Sequence, residues 1–354
     1  MRFNRLASIT FSALVATIAS VTGFATAHSE EGHRAPSIHP EKPHHGKWGY
    51  IDKSGKMMIP PQFDVAGPFF EGLARVRIEH AWGFIDKTGK MAVAPQYDEA
   101  DRFSDGVAAV RIGAKWGYID KRGTMVIPPK FQAADHFSEG VARVRDGGQY
   151  GYIDTTGAFV IPEKYAVAYP FSDGLARVTV EGKSGYIDKA GAFAIQPEFY
   201  QAFPFFDGLA RFGVNKKWGY IDKTGAVVIE AKFSAADRFS EGMAAVSKGG
   251  RWGYIDKTGN LVIPYQFHYA LPFFNNLAAI EMHEKWGYIN KAGETVIAPQ
   301  FSRALPFSDG LAQVQSGLHW GYIDQTGAVV VSAQFEASEH FSEGLAAIRL
   351  GSAP

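Results

Sequence analysis

The sequence predicts an all-β fold built from nine tandem units, and three observations carry that prediction. The pentapeptide Trp-Gly-Tyr-Ile-Asp recurs with its glycine at Gly49, Gly83, Gly117, Gly151, Gly185, Gly219, Gly253, Gly287 and Gly321, a constant step of 34 residues. All seven tryptophans stand directly before that glycine, with Tyr150 and Ser184 in the two remaining copies. Within each unit the apolar residues alternate with polar ones in short runs closed by Gly or Pro, as strands and turns require. A strict period of this length marks an array whose units lean on their neighbours.

One unit, residues 47–80, shows the elements in order. Trp48 to Asp52 reads as a strand with Trp48, Tyr50 and Asp52 on one side. Asp52-Lys53-Ser54-Gly55 reads as a tight turn, with Asp first and Gly where a positive φ is needed. Lys56 to Ile59 reads as the returning strand, stopped by Pro60 and Pro61. From Gln62 to Gly72 the alternation lapses, and Phe63, Ala66, Phe69 and Gly72 fall three apart. That spacing predicts a 3₁₀ or single α-helical turn holding two aromatics on one side. Leu73 to Val76 then resumes as a strand. The expectation is about three short strands plus one aromatic connector per unit. Ile51, Phe69 and Ala74 keep their type in all nine copies, and the slot of Phe63 is always aromatic, so these positions are read as core. Gly49 and Ala74 are expected to be small because a neighbouring backbone or ring lies against them.

The arithmetic of the ends bears on the architecture. Three-stranded sheets form across the repeat boundary, from Leu73–Ile78, Trp82–Asp86 and Lys90–Val93. A two-strand piece is left at the start and a one-strand piece at the end, Leu345 to Leu350. These could complete each other in a closed, propeller-like ring or cap an open array. Propeller blades usually have four strands and about 40 residues or more, so the reading favours an open, curved, β-solenoid-like superhelix, with the ring as alternative.

Ahead of the array, residues 1–27 have two arginines, an uncharged apolar stretch and Ala25-Thr26-Ala27, the pattern of a signal peptide cut after Ala27. Residues 28–46, rich in Pro, charge and His, read as a flexible linker; residues 47–350 are the repeat array. Loss of Arg2 and Arg5 leaves 34 basic against 36 acidic residues, so no basic field exists to attract nucleic acid. With no cysteine, stability rests on apolar packing. After cleavage no run is left to span a membrane.

The unit Lys217-Trp218-Gly219-Tyr220-Ile221-Asp222-Lys223-Thr224-Gly225, with Phe137-Ser138-Glu139-Gly140-Val141-Ala142, resembles the bacterial WG-repeat family over nearly the whole mature chain. The resemblance implies an exported, periplasmic or extracellular, non-enzymatic binding or structural module. The fourth and fifth copies depart by losing Trp, the seventh by Asn275-Asn276, and the eighth by Asn290.

No catalytic constellation is legible: no Cys, no Gly-x-Ser-x-Gly and no His-Glu-x-x-His. The nine Asp-x-x-Gly turns, mostly followed by Lys, read as turn formers and not as calcium loops. No metal and no cofactor is expected. The recurring acid of Glu71, Asp105 and Glu139 and the Arg four positions on, as in Arg75, read as an ion-pairing solvated face. His136 and His340 share a slot before the invariant Phe and read as turn chemistry. Asymmetry is concentrated in the connectors. Asp101-Arg102, Asp135-His136, Asp237-Arg238 and Glu339-His340 alternate with copies carrying Pro68, Pro170, Pro204, Pro272 and Pro306. Phe70, Tyr169, Phe203, Phe206, Tyr269 and Phe274 lie outside the repeat pattern and are the candidate partner-binding residues, forming one apolar strip if they line one edge. The function expected is a scaffold for protein partners of the cell envelope, with glycan or peptidoglycan binding as alternative.

Overall fold

The computed structural model describes residues 46–351; the expected signal peptide and nearly all of the linker lie outside the described residues. Thirty-five strands, β1 to β35 in chain order, form seven four-stranded antiparallel sheets and one seven-stranded sheet. The first four-stranded sheet is β3 (Val65–Phe70), β4 (Leu73–Ile78), β5 (Ala81–Asp86) and β6 (Met91–Tyr97), adjacent in that order. Six further sheets repeat it. The larger sheet is two such blades joined by β34 (Val329–Ser338). Residues 329–335 of β34 pair with the eighth unit, and Ala337 and Ser338 pair with β35 (Leu345–Leu350).

β35 in turn pairs with β1 (Trp48–Asp52), from Trp48↔Arg349 to Asp52↔Leu345, and β1 with β2 (Met57–Phe63). The two end pieces complete one ninth blade. The array is therefore the ring, and the open superhelix favoured by sequence does not form. Blade 1 is residues 65–97, each later blade begins 34 residues on, and blade 9 combines the two ends of the array. The expected three strands become four because the connector is itself a strand.

The reason lies in a bulge. Ala66 pairs with Val76 and Phe69 with Ala74, so Gly67 and Pro68 stand opposite Arg75 alone. Two residues against one shift the side-chain parity, and residues three apart face the same core without any helical turn. A second irregularity fixes the glycine of the Trp-Gly motif. Trp48 pairs with Phe63 and Tyr50 with Ile59, so three residues bow over Gly49. A Cβ on Gly49 would lie 2.5 Å from the Ile59 carbonyl oxygen and 2.7 Å from Pro61 N. The expectation that backbone covers this glycine holds.

The core sits between blades. Each apolar cluster joins two units: Tyr50, Ile59 and Phe63 of blade 9 pack with Ala66, Phe69 and Ile85 of blade 1. At every interface a ring of the Tyr50 slot meets the next blade's Phe69 slot edge-on or tilted, from 4.7 to 5.1 Å between centroids, in the series Tyr50–Phe69, Phe84–Phe103, Tyr118–Phe137 through Tyr322–Phe341. The tyrosine hydroxyl donates onward to the next blade's bulge, as from Tyr50 to the Gly67 carbonyl at 2.8 Å. First strands of neighbouring blades touch: the Ser104 hydroxyl donates to the Phe137 carbonyl at 2.7 Å, and that of Ser342 to Phe69 at 2.6 Å. Fourth strands form the free, alternately exposed edges. First strands thus line the hub and fourth strands the rim.

Gly219→Ala, which forces a Cβ against the Ile229–Ala231 backbone, is expected to lower stability by about 1–3 kcal/mol in denaturant unfolding. Deleting residues 345–354 removes the closing strand. Loss of the single cooperative transition and rapid proteolysis of the first and eighth blades are expected.

Candidate functional site

The hub is where the nine units stop being alike. Its framework is a ring of turns between the first and second strands of each blade. In eight blades an acid at the turn adopts a positive φ, 52° at Glu71, followed by glycine, Gly72 at 87°; blade 7 has Asn275 and Asn276 in their place, both also at positive φ. The acid's carboxylate accepts from the next blade's turn amide, as Gly106 N to Glu71 at 3.0 Å and, across the closure, Gly72 N to Glu343 at 3.1 Å. Where the Asp-x-x-Gly turn carries a lysine, the acid also meets it: Lys121–Glu71 3.1 Å, Lys223–Asp173 3.0 Å, and Lys53–Asp309 2.6 Å over the seam; for Asp105 that place is held by Thr155. The expected pairing with the arginine four positions on is replaced by this inter-blade circuit. Arg75 instead donates to the next blade's Ala100 carbonyl at 2.8 Å. The Asp of each hairpin turn serves its own loop, since Asp52 accepts from Ser54 N, Ser54 Oγ and Lys56 N. The Ser54 hydroxyl bond, ahead of the amide bonds, holds that carboxyl below its usual range.

On this frame the hub divides into two arcs. Blades 9, 2 and 3 carry an acid and a base at the connector, while blade 1, between blades 9 and 2, carries Pro68. Arg102 reaches His136 Nε2 at 2.8 Å, and His136 Nδ1 lies 3.2 Å from Asp101. Arg143 binds Asp135 at 2.7 Å. Burial opposes ionisation of Asp101, but His136 and Arg75 together outweigh it and hold the carboxyl far below its usual range. His136 and His340 are therefore buried members of the hub and not turn residues. Glu339 lies in the slot of Asp101, with Ala347 where blade 3 has Arg143. His340 Nδ1 lies 4.0 Å from its carboxylate. Burial raises the Glu339 carboxyl to about 7, with Arg75 opposing, while burial and then Arg102 lower the His340 imidazole to about 4. Blades 4, 5, 7 and 8 carry Pro170, Pro204, Pro272 and Pro306 instead, and blade 6 interposes Asp237 and Arg238.

The six candidate aromatics occupy three slots and do not form one strip. Phe70, Phe206 and Phe274 replace the serine that clamps neighbouring first strands elsewhere. Each is half-buried beside an arginine of an adjoining blade: Arg102 lies 4.6 Å over Phe70, and Arg238 lies 4.9 Å over Phe206 and 5.5 Å over Phe274. Tyr169 and Phe203 sit one bulge earlier, where Arg177 and Arg211 lie over their rings at 3.7 and 4.0 Å. Tyr269 lies between Trp252 and Trp286, at 5.2 and 5.9 Å. Tyr169 and Phe203 thus stand in the slot held by Asp101 and Glu339 in the charged blades, and Tyr269 lies apart from them between its two tryptophans. What the arginine-capped phenylalanines add is an amphipathic hub surface, apolar rings bearing cations that an acidic or aromatic group of a partner can meet. Arg102 and Arg238 were noted in the sequence as part of the connector asymmetry but not among the candidate binding residues; their pairing with Phe70 and Phe206 one unit earlier was the available signal.

The family described as "WG containing repeat" matches residues 48–79, 82–116, 116–150, 150–183, 185–218, 218–252, 252–286, 286–317 and 320–352. The chain belongs to the WG-repeat family. No curated protein matches it. Among solved structures, this WG-repeat chain is similar to one described as "Crystal structure of the eukaryotic initiation factor". They share 12% identity at a TM-score of 0.59, over 88% of this chain and 100% of that one, a likeness of fold alone. BamB from Moraxella catarrhalis shares 11% identity at a TM-score of 0.41, covering 81% of this chain and 96% of that one. Apo AztD from Citrobacter koseri shares 14% at 0.40, covering 87% and 100%. Among the described residues of this WG-repeat protein no helix is long and apolar enough to cross a membrane.

The two hub titrations pull stability in opposite directions. Glu339 binds its proton more tightly folded than unfolded, so its contribution falls as pH rises from about 4.5 to about 7. His340 binds its proton more weakly folded, so its contribution falls as pH drops from about 6.5 to about 4. Glu339→Gln is expected to raise Tm relative to the parent above pH 7 and to leave it nearly unchanged at pH 4.5, as a thermal melt series across pH reads directly.

Proposed function

We propose that this WG-repeat ring is an exported, non-enzymatic scaffold that binds protein partners in the bacterial envelope through its hub face. The observation that carries the reading is the contrast between framework and hub. The slots that build the ring repeat almost unchanged, whereas the connector slots divide into acid–base pairs on blades 9, 2, 3 and 6 and prolines on the others, with Phe70, Phe206 and Phe274 capped by Arg102 and Arg238. Aromatic and arginine side chains together are the residues that most often anchor protein interfaces. The ion pairs of the hub are satisfied within the ring, which suits a rigid recognition surface better than acid–base chemistry. Export follows from the Arg-containing, apolar start and the Ala-x-Ala sequence before His28.

The test is affinity capture from an envelope extract with the immobilised mature ring, followed by a solution binding curve with each captured protein. Arg102→Glu with Arg238→Glu is expected to weaken a true hub partner at least tenfold, about 1.4 kcal/mol, with the fold intact by circular dichroism. A partner indifferent to both charge reversals refutes hub binding. Mass spectrometry of the protein recovered from the producing cell is expected to find an N-terminus at His28; retention of residues 1–27 refutes cleavage.

A further inference from the structure

A hollow lies where the fourth strand of blade 4 passes into the first two strands of blade 5, lined by none of the hub residues described above. It has a volume of about 710 Å³ and is walled by Phe199, Tyr200, Gln201, Phe212, Asn215 and Lys216, among others. That size falls within the range of about 300–1,000 Å³ usual for small-ligand clefts. Three departures from the repeat meet there. The slot of Phe212 is Val or Ile in the other eight units, the slot of Gly213 always bears a side chain elsewhere, and the slot of Tyr200 is otherwise Asp, Gln, Ala, Ser, His or Glu.

Each departure has a physical consequence. Phe212 brings a second ring against Phe199, 5.5 Å between centroids. Phe199 is then the one member of its slot that is half-buried; the other eight, from Phe63 to Phe335, are buried. In other blades the residue at the Gly213 slot covers the neighbouring aromatic: Arg77 lies 5.8 Å over Trp82, Arg145 5.3 Å over Tyr150 and Arg349 5.6 Å over Trp48. Gly213 adds no such side chain, and Trp218 is met instead by Arg211 at 5.9 Å and Phe203 at 5.5 Å. At the Tyr200 slot, Asp64 and Asp98 accept from turn amides at Glu79 and Gly113, at 2.7 and 2.6 Å. Tyr200 has no carboxylate for that purpose and is 78% exposed.

We infer that this hollow is a saccharide-binding site in which a pyranose ring lies against Tyr200 and Phe199, with the buried Phe212 backing Phe199. A sugar presents C–H groups on its faces and hydroxyls, each both donor and acceptor, around its edge. The lining supplies both kinds of partner: aromatic rings, and Glu198 as acceptor, Lys216 as donor, and Gln201 and Asn215 as both. An aryl side chain of a peptide would match the rings but satisfy none of those polar groups. The inference is independent of the hub reading, because it concerns a different surface, ligand class and set of residues.

The test is calorimetric titration of the full mature chain with chitotetraose, maltotetraose and tetragalacturonate, with N-acetyltyrosinamide as the aryl control. At least one saccharide is expected to bind at concentrations up to about 10 mM, and the aryl amide is not. Tyr200→Ala alters an exposed residue and is expected to weaken that binding about tenfold or more at unchanged Tm, the loss of one stacked ring. Gly213→Arg restores the cover found in blades 1 and 3 and is expected to do the same. A Cβ there would meet chiefly the mobile Gln201 side chain and Trp218, so modest shifts can accommodate it. Absence of binding by all three saccharides, binding by the aryl amide instead, or saccharide binding that Tyr200→Ala leaves unchanged each overturns the inference.

Discussion

The whole molecule depends on one contact made nine times: an aromatic ring on the third strand of each blade set against the invariant phenylalanine of the next. Neither ring can be buried within its own unit. The Tyr50 slot has its phenolic oxygen bonded to the following blade's bulge and its face against the following Phe, so half of every core belongs to a neighbour. Desolvation raises the pKa of these buried tyrosines, as at Tyr186 and Tyr220, and keeps them neutral donors over the accessible pH range. Phe84 keeps the ring contact and gives up the hydroxyl, which ranks the two: packing is obligatory and the hydrogen bond supplementary. An array built this way has two unsatisfied ends wherever it stops. Pairing β1 with β35 removes both at once, and the acid–amide and acid–lysine contacts cross the seam with the same partners as elsewhere.

Much of this was legible in the sequence because it repeats. Period, hairpin, turn chemistry and the core slots of Ile51, Phe63, Phe69 and Ala74 follow from nine copies of one pattern, and the burial of those slots agrees. Two things were hidden. A spacing of three between Ala66 and Phe69 suits a helical turn as well as a bulged strand, and only the facing residue, Arg75, distinguishes them. The choice between arc and ring depends on a small rotation per unit summed over nine units. No single repeat encodes that sum, although the two-strand start and one-strand end were the visible trace of it.

The site was legible in kind and not in arrangement. Departure from the repeat correctly drew attention to Phe70, Phe206 and Phe274 at the hub. It grouped them with Tyr169, Phe203 and Tyr269 because the bulge that separates those slots leaves no mark in residue type. Tyr200, Phe212 and Gly213 were missed for a related reason. Each is a mild change when read alone, and only the pairing of the second strand with the connector brings them to one place.

A ring of identical blades would offer a partner nine equivalent registers and no preferred one. The hub removes that degeneracy at the cost of burying charge. Asp101, Arg102 and His136 offset their desolvation by binding one another across two neighbouring blades, an arrangement that works only if those blades are held at fixed spacing. Glu339 and His340, next to the seam, lack such a network, and burial drives both toward their neutral forms. The closing blade is thus the place where a charged arc begins without full compensation. Ring closure and hub asymmetry are consequently linked: the strand that completes the ring also sets the orientation in which its unequal arcs are presented.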